Sequence, residues 1–407
     1  MRKVLRAFRI IVILCGLADP WANGAEVAWR SEATEASLPM TVLSPTSAAP
    51  DSAGAPCVVY LEGLAVPRVG TEGDETIIAD FRREGLVVVV IDYQGHARAK
   101  PPFIHLDIAA LRTAFACDTL RLEQKVDASQ IYIVPSGHRL RRGLTYYQEG
   151  GRMLRMDVVY PSRPNQPVGS VLEFSCDNKD RMGNASLVAC SDTLLEGFAT
   201  AGYAVAMADH PVAAPYKGLD PMPDSALKIK AAVRTLRAMA PEIGATGEIV
   251  PVGFSRGSGM ALMLVTTAGR PELDGAGEHV GVSSDVQGAI VMSGRFTYLD
   301  LLPGDRMIPR YEQAWGTKDA ALERWRQQGP LDYLQAAPRV PVFLTINVTE
   351  GAEALHQMQV LRHRLGELGA ETTYRLDRNP RGHKVTLDLD ILTAMHAYLA
   401  ERFHQNP

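Results

Sequence analysis

Cysteine is scarce, five in 407 residues, too few for a small fold held by disulfides. Charge of one sign is also missing: 42 Lys and Arg face 46 Asp and Glu. Composition therefore offers no surface for nucleic acid, and the Arg-dense stretch 139–142 reads as a solvated face. No apolar run is long enough to cross a bilayer as a helix, so stable membrane insertion is not expected. The spacings that hold metals, H-E-x-x-H and paired Cys or His, do not occur, and no metal or cofactor is implied. What remains is 46% hydrophobic and 22% charged with ordinary glycine and proline counts. That is a globular chain able to bury one large core or two smaller ones.

The N-terminus carries an export pattern. Arg2, Lys3, Arg6 and Arg9 precede the apolar residues Ile10 to Ala18, and small residues follow around Ala22 to Ala25. A positive segment before a short apolar run reads as a secretory signal peptide over residues 1–25, which predicts a secreted or periplasmic protein. Leu14 is too large for the residue before a lipidated Cys15, which argues against a lipid anchor. Cys57, Cys117, Cys176 and Cys190 would remain after cleavage. Cys176 and Cys190 either close a ring of about fifteen residues, on the order of 3 kcal/mol in the chain-entropy model, or stay as two buried thiols.

Residues 26–55, rich in Ala, Ser, Pro and Thr, read as a linker or irregular lead-in. From residue 56 short apolar runs alternate with amphipathic stretches, the grammar of parallel strands joined by helices. Cys57 to Leu61 and Leu86 to Ile91 are expected as strands around a helix from Glu75 to Glu84. We divide the rest into an N-terminal accessory α/β segment, 56–140, and a second unit, 141–407. The second opens with an antiparallel hairpin around Glu149-Gly150-Gly151 and continues through strands at Ser170 to Phe174, Tyr203 to Ala208, Ile249 to Val252, Gly288 to Met292, Val340 to Ile346 and Thr372 to Leu376. The expected fold class is α/β, a doubly wound and mostly parallel sheet, with a helical insertion over 296–338.

The two units echo each other. Ala109 to Thr113 (AALRT) matches Ala231 to Thr235 (AAVRT), and Ile131 to Gly137 (IYIVPSG) is similar in character to Ile249 to Ser255 (IVPVGFS). Two readings stay open, a decayed half-duplication or the shared periodicity of any two strand-helix-strand units.

The strand ending at Val252 runs into Gly253-Phe254-Ser255-Arg256-Gly257, a G-x-S-x-G between an expected strand and an expected helix. Its glycines permit a sharp turn that exposes the serine hydroxyl beside a helix N-terminus, so Ser255 is the candidate nucleophile. A hydroxyl needs a base, and His383 sits in the loop Pro380-Arg381-Gly382-His383 after the last strand, at the sheet's carboxyl edge. The acid that orients the imidazole belongs after the preceding strand. No aspartate stands there, so Glu350 is the choice, with Glu353 and Asp300 as rivals. Ser136, the nearest counterpart in the first unit, follows a proline and lacks the paired glycines, and no active site is expected around it.

The region from about Leu144 to Phe403 resembles the α/β-hydrolase family, with serine, acid and histidine in that chain order. The resemblance implies an oxyanion hole from the Arg256 amide and a donor in the earlier loop, Cys176 or Asp177. Arg256 after the serine also resembles, weakly, the elbow of glucuronoyl esterases. Asn178, Asp209, His210 and Tyr216, polar residues on expected carboxyl-edge loops, are the candidate substrate contacts. Together these imply a serine carboxylic-ester hydrolase acting through an acyl-enzyme on small-molecule or polysaccharide-linked acyl or uronoyl esters. A serine peptidase of the same fold and an inactive binding protein are the alternatives.

Overall fold

Val87–Asp92 reads VVVVID, and an unbroken β-branched run is stable only where both faces of a strand are covered. The computed structural model describes residues 26–47, 54–64, 66, 73–96, 103–104, 106–108, 110–111, 126–149, 151–174, 197–209, 222–380, 382–383 and 388–404. Two sheets organise them. The first comprises β1 (Glu26–Arg30), β2 (Ser37–Leu43), β3 (Ala55–Glu62), β4 (Val87–Asp92) and β5 (Val126–Pro135), in the order β1-β2-β4-β3-β5. Helix α1 (Asp74–Arg83) covers one face through Ile77, Ile78 and Phe81, which pack on Val58, Val88, Val90 and Val134. Ile104, Ile108 and Leu111 cover the alternate residues Val59, Val89, Ile91 and Ile133 on the other.

The lead-in of 26–55 is therefore partly corrected, because it contributes β1 and β2, paired antiparallel from Glu26 with Thr41 to Arg30 with Ser37. Leu38 and Met40 point inward and alternate with exposed neighbours. In β2, which lies between β1 and β4, two inward residues give a period-2 signal too brief to stand out from the surrounding Ala, Ser and Pro.

The second sheet comprises β6 (His138–Glu149), β7 (Arg152–Pro161), β8 (Val168–Phe174), β9 (Ala204–Ala208), β10 (Ala245–Phe254), β11 (Ala289–Met292), β12 (Val342–Asn347) and β13 (Thr372–Asp377). Its order is β13-β12-β11-β10-β8-β9-β7-β6. The β6–β7 hairpin and the β7–β9 pair are antiparallel, and the other pairs are parallel. Helices α2 (Met222–Met239), α3 (Arg256–Thr266) and α6 (Ala352–Glu367) pack on one face, and α7 (Leu389–Arg402) packs on the other. Between β11 and β12 the chain leaves the sheet as α4 (Ile308–Trp315), α5 (Leu322–Gln328) and a 3-10 turn at Pro330–Tyr333, around an aromatic cluster of Tyr298, Tyr311, Trp315 and Trp325.

The echo between the units extends to topology. In each, the first five strands are ordered first-second-fourth-third-fifth, with the first two pairings antiparallel and the next two parallel. The third and fifth strands also shift register at the same end, between Ala55 and Cys57 in one and between Ala245 and Ile249 in the other. Periodicity alone imposes neither the order nor the shift, which favours the duplication reading. Only Ser136 and Gly137 separate β5 from β6, and Leu140 of β6 is buried in the first sheet's core. Cys57 is buried in the first sheet; Cys117, Cys176 and Cys190 lie outside the described residues, as does the segment 1–25. Among the described residues no helix is long and apolar enough to cross a membrane.

Candidate active site

Strand β10 ends at Phe254 and helix α3 begins at Arg256, so one residue makes the whole turn. That residue is Ser255, at φ 56°, a left-handed conformation uncommon outside glycine. Its neighbours hold it there. The Ser255 amide donates to Met292 O at 3.0 Å, and the Ser258 hydroxyl contacts both Ser255 O and Ser293 O. A Cβ on Gly253 would lie 2.0 Å from Gly257 O, which explains the first glycine of the motif. Arg256, as first residue of α3, places a helix N-terminal amide directly after the serine.

His383 Nε2 lies 2.9 Å from Ser255 Oγ, and His383 Nδ1 lies 2.9 and 3.0 Å from the two Glu350 oxygens. The Glu350 carboxylate accepts the Nδ1 hydrogen, which leaves the Nε2 lone pair facing the serine hydroxyl. Exposure grades along the chain: the Glu350 side chain is 2% exposed and that of His383 49%. A buried carboxylate and a solvent-edge imidazole suit an acid that orients and a base that exchanges protons with substrate. The Phe254 ring supports the imidazole at 4.6 Å between centroids.

Asn347, at the end of β12, fastens the loops that carry Glu350 and His383. Its Nδ2 donates to Asp377 Oδ2 at 2.9 Å and to Asn379 O at 2.6 Å. Its Oδ1 accepts from the Thr349 amide and hydroxyl at 3.0 and 2.8 Å. Burial raises the Asp377 carboxyl above its usual range, and the Asn347 amide works against that rise. Asn347, Thr349 and Phe254 escaped the sequence analysis; only a polar residue closing an apolar strand hinted at the first.

The rival acids stand elsewhere. Asp300 Oδ1 lies 3.0 Å from His356 Nε2, on the insertion side. Glu353 occupies the first turn of α6 and lines the cavity in front of Ser255 without bonding His383. Asp209 is buried and accepts the Arg155 amide at 2.9 Å, bracing β7 against β9, and is not among the residues that line that cavity. Cys176, Asp177, Asn178, His210 and Tyr216 lie outside the described residues.

The cavity measures about 380 Å³ and reaches from Ser255 and His383 to Tyr298, Arg306 and Trp315 of the insertion, within the range of small-molecule sites. Among the described residues no group of His, Cys, Asp and Glu is placed to hold a metal ion.

No protein-family model matches the chain, and no curated protein matches it by sequence. Solved structures do match. A truncated carbohydrate esterase from gut microbiota shares 15% identity at a TM-score of 0.55, over 65% of this chain and 96% of its own. A thermophilic esterase of the Planctomycetes species Thermogutta terrifontis, with propionate bound, shares 18% at 0.52, over 67% and 96%. A bifunctional GH43-CE protein of Bacteroides eggerthii shares 17% at 0.53, over 65% of this chain and 35% of that one. At such identities the likeness is one of fold, and this chain has the mixed α/β fold of these esterase structures.

Proposed function

We propose that the protein is a serine carboxylic-ester hydrolase of the α/β-hydrolase fold, with Ser255 as nucleophile, His383 as base and Glu350 as its orienting acid. The continuous hydrogen-bonded line from Glu350 through His383 to Ser255 carries this reading. The elbow after the fifth strand of the second sheet and the esterase folds it resembles support it.

In this reading His383 Nε2 takes the Ser255 proton as Oγ attacks the ester carbonyl carbon. The Arg256 amide stabilises the oxyanion, with a second donor assigned to Cys176 or Asp177. His383 then gives the proton to the departing alcohol oxygen, leaving an acyl-serine. Water repeats the sequence, loses its proton to His383, and releases the carboxylic acid and free Ser255. The substrate class is carbohydrate-linked or other small acyl and uronoyl esters, and the signal-like residues 1–25 point to an exported enzyme.

Turnover of 4-nitrophenyl acetate tests this together with labelling by a fluorophosphonate probe. Ser255→Ala and His383→Ala are each expected to lower kcat by on the order of 10⁴-fold with melting little changed. The probe is expected on Ser255 and not on Ser136, whose hydroxyl donates to Asp74 Oδ2 at 2.7 Å and has no imidazole acceptor. Activity within tenfold of wild type in either variant rejects the assignment.

A further inference from the structure

The insertion and α6 set two charged side chains of opposite sign into the cavity without pairing them. Arg306 and Glu353 both line the space in front of Ser255 and His383. Neither has a hydrogen-bond or ion-pair partner among the described residues, whereas the other charges nearby are engaged. Arg295 forms a two-pronged pair with Asp305, and Glu350 holds His383. Arg256 stands beside the nucleophile.

Three guanidinium groups and the carboxylates of Glu350, Glu353 and Asp305 thus balance in and behind the wall. A free carboxylate on the substrate would meet the Glu353 and Glu350 charges at close range, and an ammonium would meet the guanidinium groups. A neutral ligand rich in hydroxyls meets neither penalty. Each hydroxyl both donates and accepts, so one can accept from the Arg306 fork while another donates to Glu353. Aromatic side chains at Tyr298, Tyr311 and Trp315 add apolar wall on the same side, where the insertion's cluster packs them rigidly.

We infer that Arg306 and Glu353 form a hydroxyl clamp that selects neutral saccharide esters, binding the sugar while Ser255 attacks its ester. This rests on the ester-hydrolase reading above, and it assigns specificity to residues of the insertion and of the helix after the acid.

Acetates separate the two claims. Wild-type enzyme is compared on an acetylated methyl xyloside, on hexyl acetate and on an acetylated methyl glucuronoside with its carboxylate free. We expect kcat/KM for the xyloside to exceed that for hexyl acetate by at least tenfold, and the acidic sugar to fall below the neutral one. Arg306→Ala and Glu353→Ala should each cut the xyloside-to-hexyl ratio at least fivefold, mainly through KM. Glu353→Gln, which still bonds hydroxyls, should retain more of the ratio than Glu353→Ala. The double variant should fall short of the product of the singles, as expected for two groups on one ligand. A wild-type ratio near one, or a ratio untouched by both alanine variants, overturns the clamp while Ser255-dependent hydrolysis stands. Preference for the acidic sugar also overturns it. Absence of Ser255-dependent turnover of all three esters and of 4-nitrophenyl acetate overturns the hydrolase reading and the clamp together.

Discussion

The Thr349 hydroxyl accepts a hydrogen bond from the Gly382 amide at 2.9 Å, which joins the residue before the acid to the residue before the base. Asn347 Oδ1 receives the Thr349 hydroxyl hydrogen at 2.8 Å, so strand end, acid loop and base loop form one hydrogen-bonded knot. The spacing of Glu350 and His383 is therefore set by side chains that do not take part in proton transfer.

Loosening the knot should lower kcat more than it raises KM. Thr349→Val keeps the shape and removes the hydroxyl, and kcat on 4-nitrophenyl acetate is expected to fall by about 10- to 100-fold, the scale of a misplacement near 1 Å. Thr349→Ser restores the hydroxyl and should restore most of the rate. A Thr349→Ser enzyme as slow as Thr349→Val would refute a role for the bond.

The identity of the acid gives a second expectation. Glu350→Gln leaves the imidazole without its carboxylate and is expected to cost on the order of 10³-fold or more in kcat. Asp300→Asn touches His356 instead and should stay within about threefold, the range of a surface change. Steady-state kinetics on both variants decide it; the opposite ranking would move the acid to the insertion side.

Stability should weaken in mild acid through His138. Burial depresses this histidine from 6.5 to about 4, with the Ser136 carbonyl 3.0 Å from Nδ1 opposing the shift. The unfolded chain takes up the proton near 6.5 and the folded chain only near 4, so the stabilising contribution is complete above pH 6.5 and is lost as pH falls through that window. Its slope reaches up to about 1.4 kcal/mol per pH unit. Asp332 acts in the opposite sense, because burial raises it from 3.8 to about 6 and its contribution is lost as pH rises between those values. Chemical denaturation of wild type and His138→Gln between pH 4 and 7 isolates the histidine: the variant is expected to show the shallower acid-side decline. Parallel curves would exclude His138 as the source.

Much of the core was readable because burial on both faces writes itself as dense apolar runs, as at Val87 to Ile91 and Val342 to Leu344. Gly253 was readable for a different reason: a Cβ there would lie 2.0 Å from Gly257 O, so no other residue fits. The short strands β1 and β2 were not, since one inward face in a short strand leaves little pattern. Asn347 was hidden by the nature of its task. Its partners are backbone atoms and side chains from 2 to 35 positions away, and such contacts leave no local spacing in the chain. At Asp209 a single position was ambiguous, because a polar residue at a strand's carboxyl end can brace the ladder, as its bond from the Arg155 amide does, as readily as face a ligand.

The first sheet ends at its fifth strand, whereas Glu350 and His383 follow the seventh and eighth strands of the second. By strand register Gly137 occupies the place of Ser255, with a similar left-handed backbone at φ 70°. A serine there would have no counterpart of Glu350 or His383 among the described residues, because the first sheet has no sixth, seventh or eighth strand from which such loops could emerge. Leu140 of β6, buried with Val58, Tyr60 and Phe81, ties the first strand of the second sheet into the core of the first, so a smaller side chain there would loosen one unit from the other.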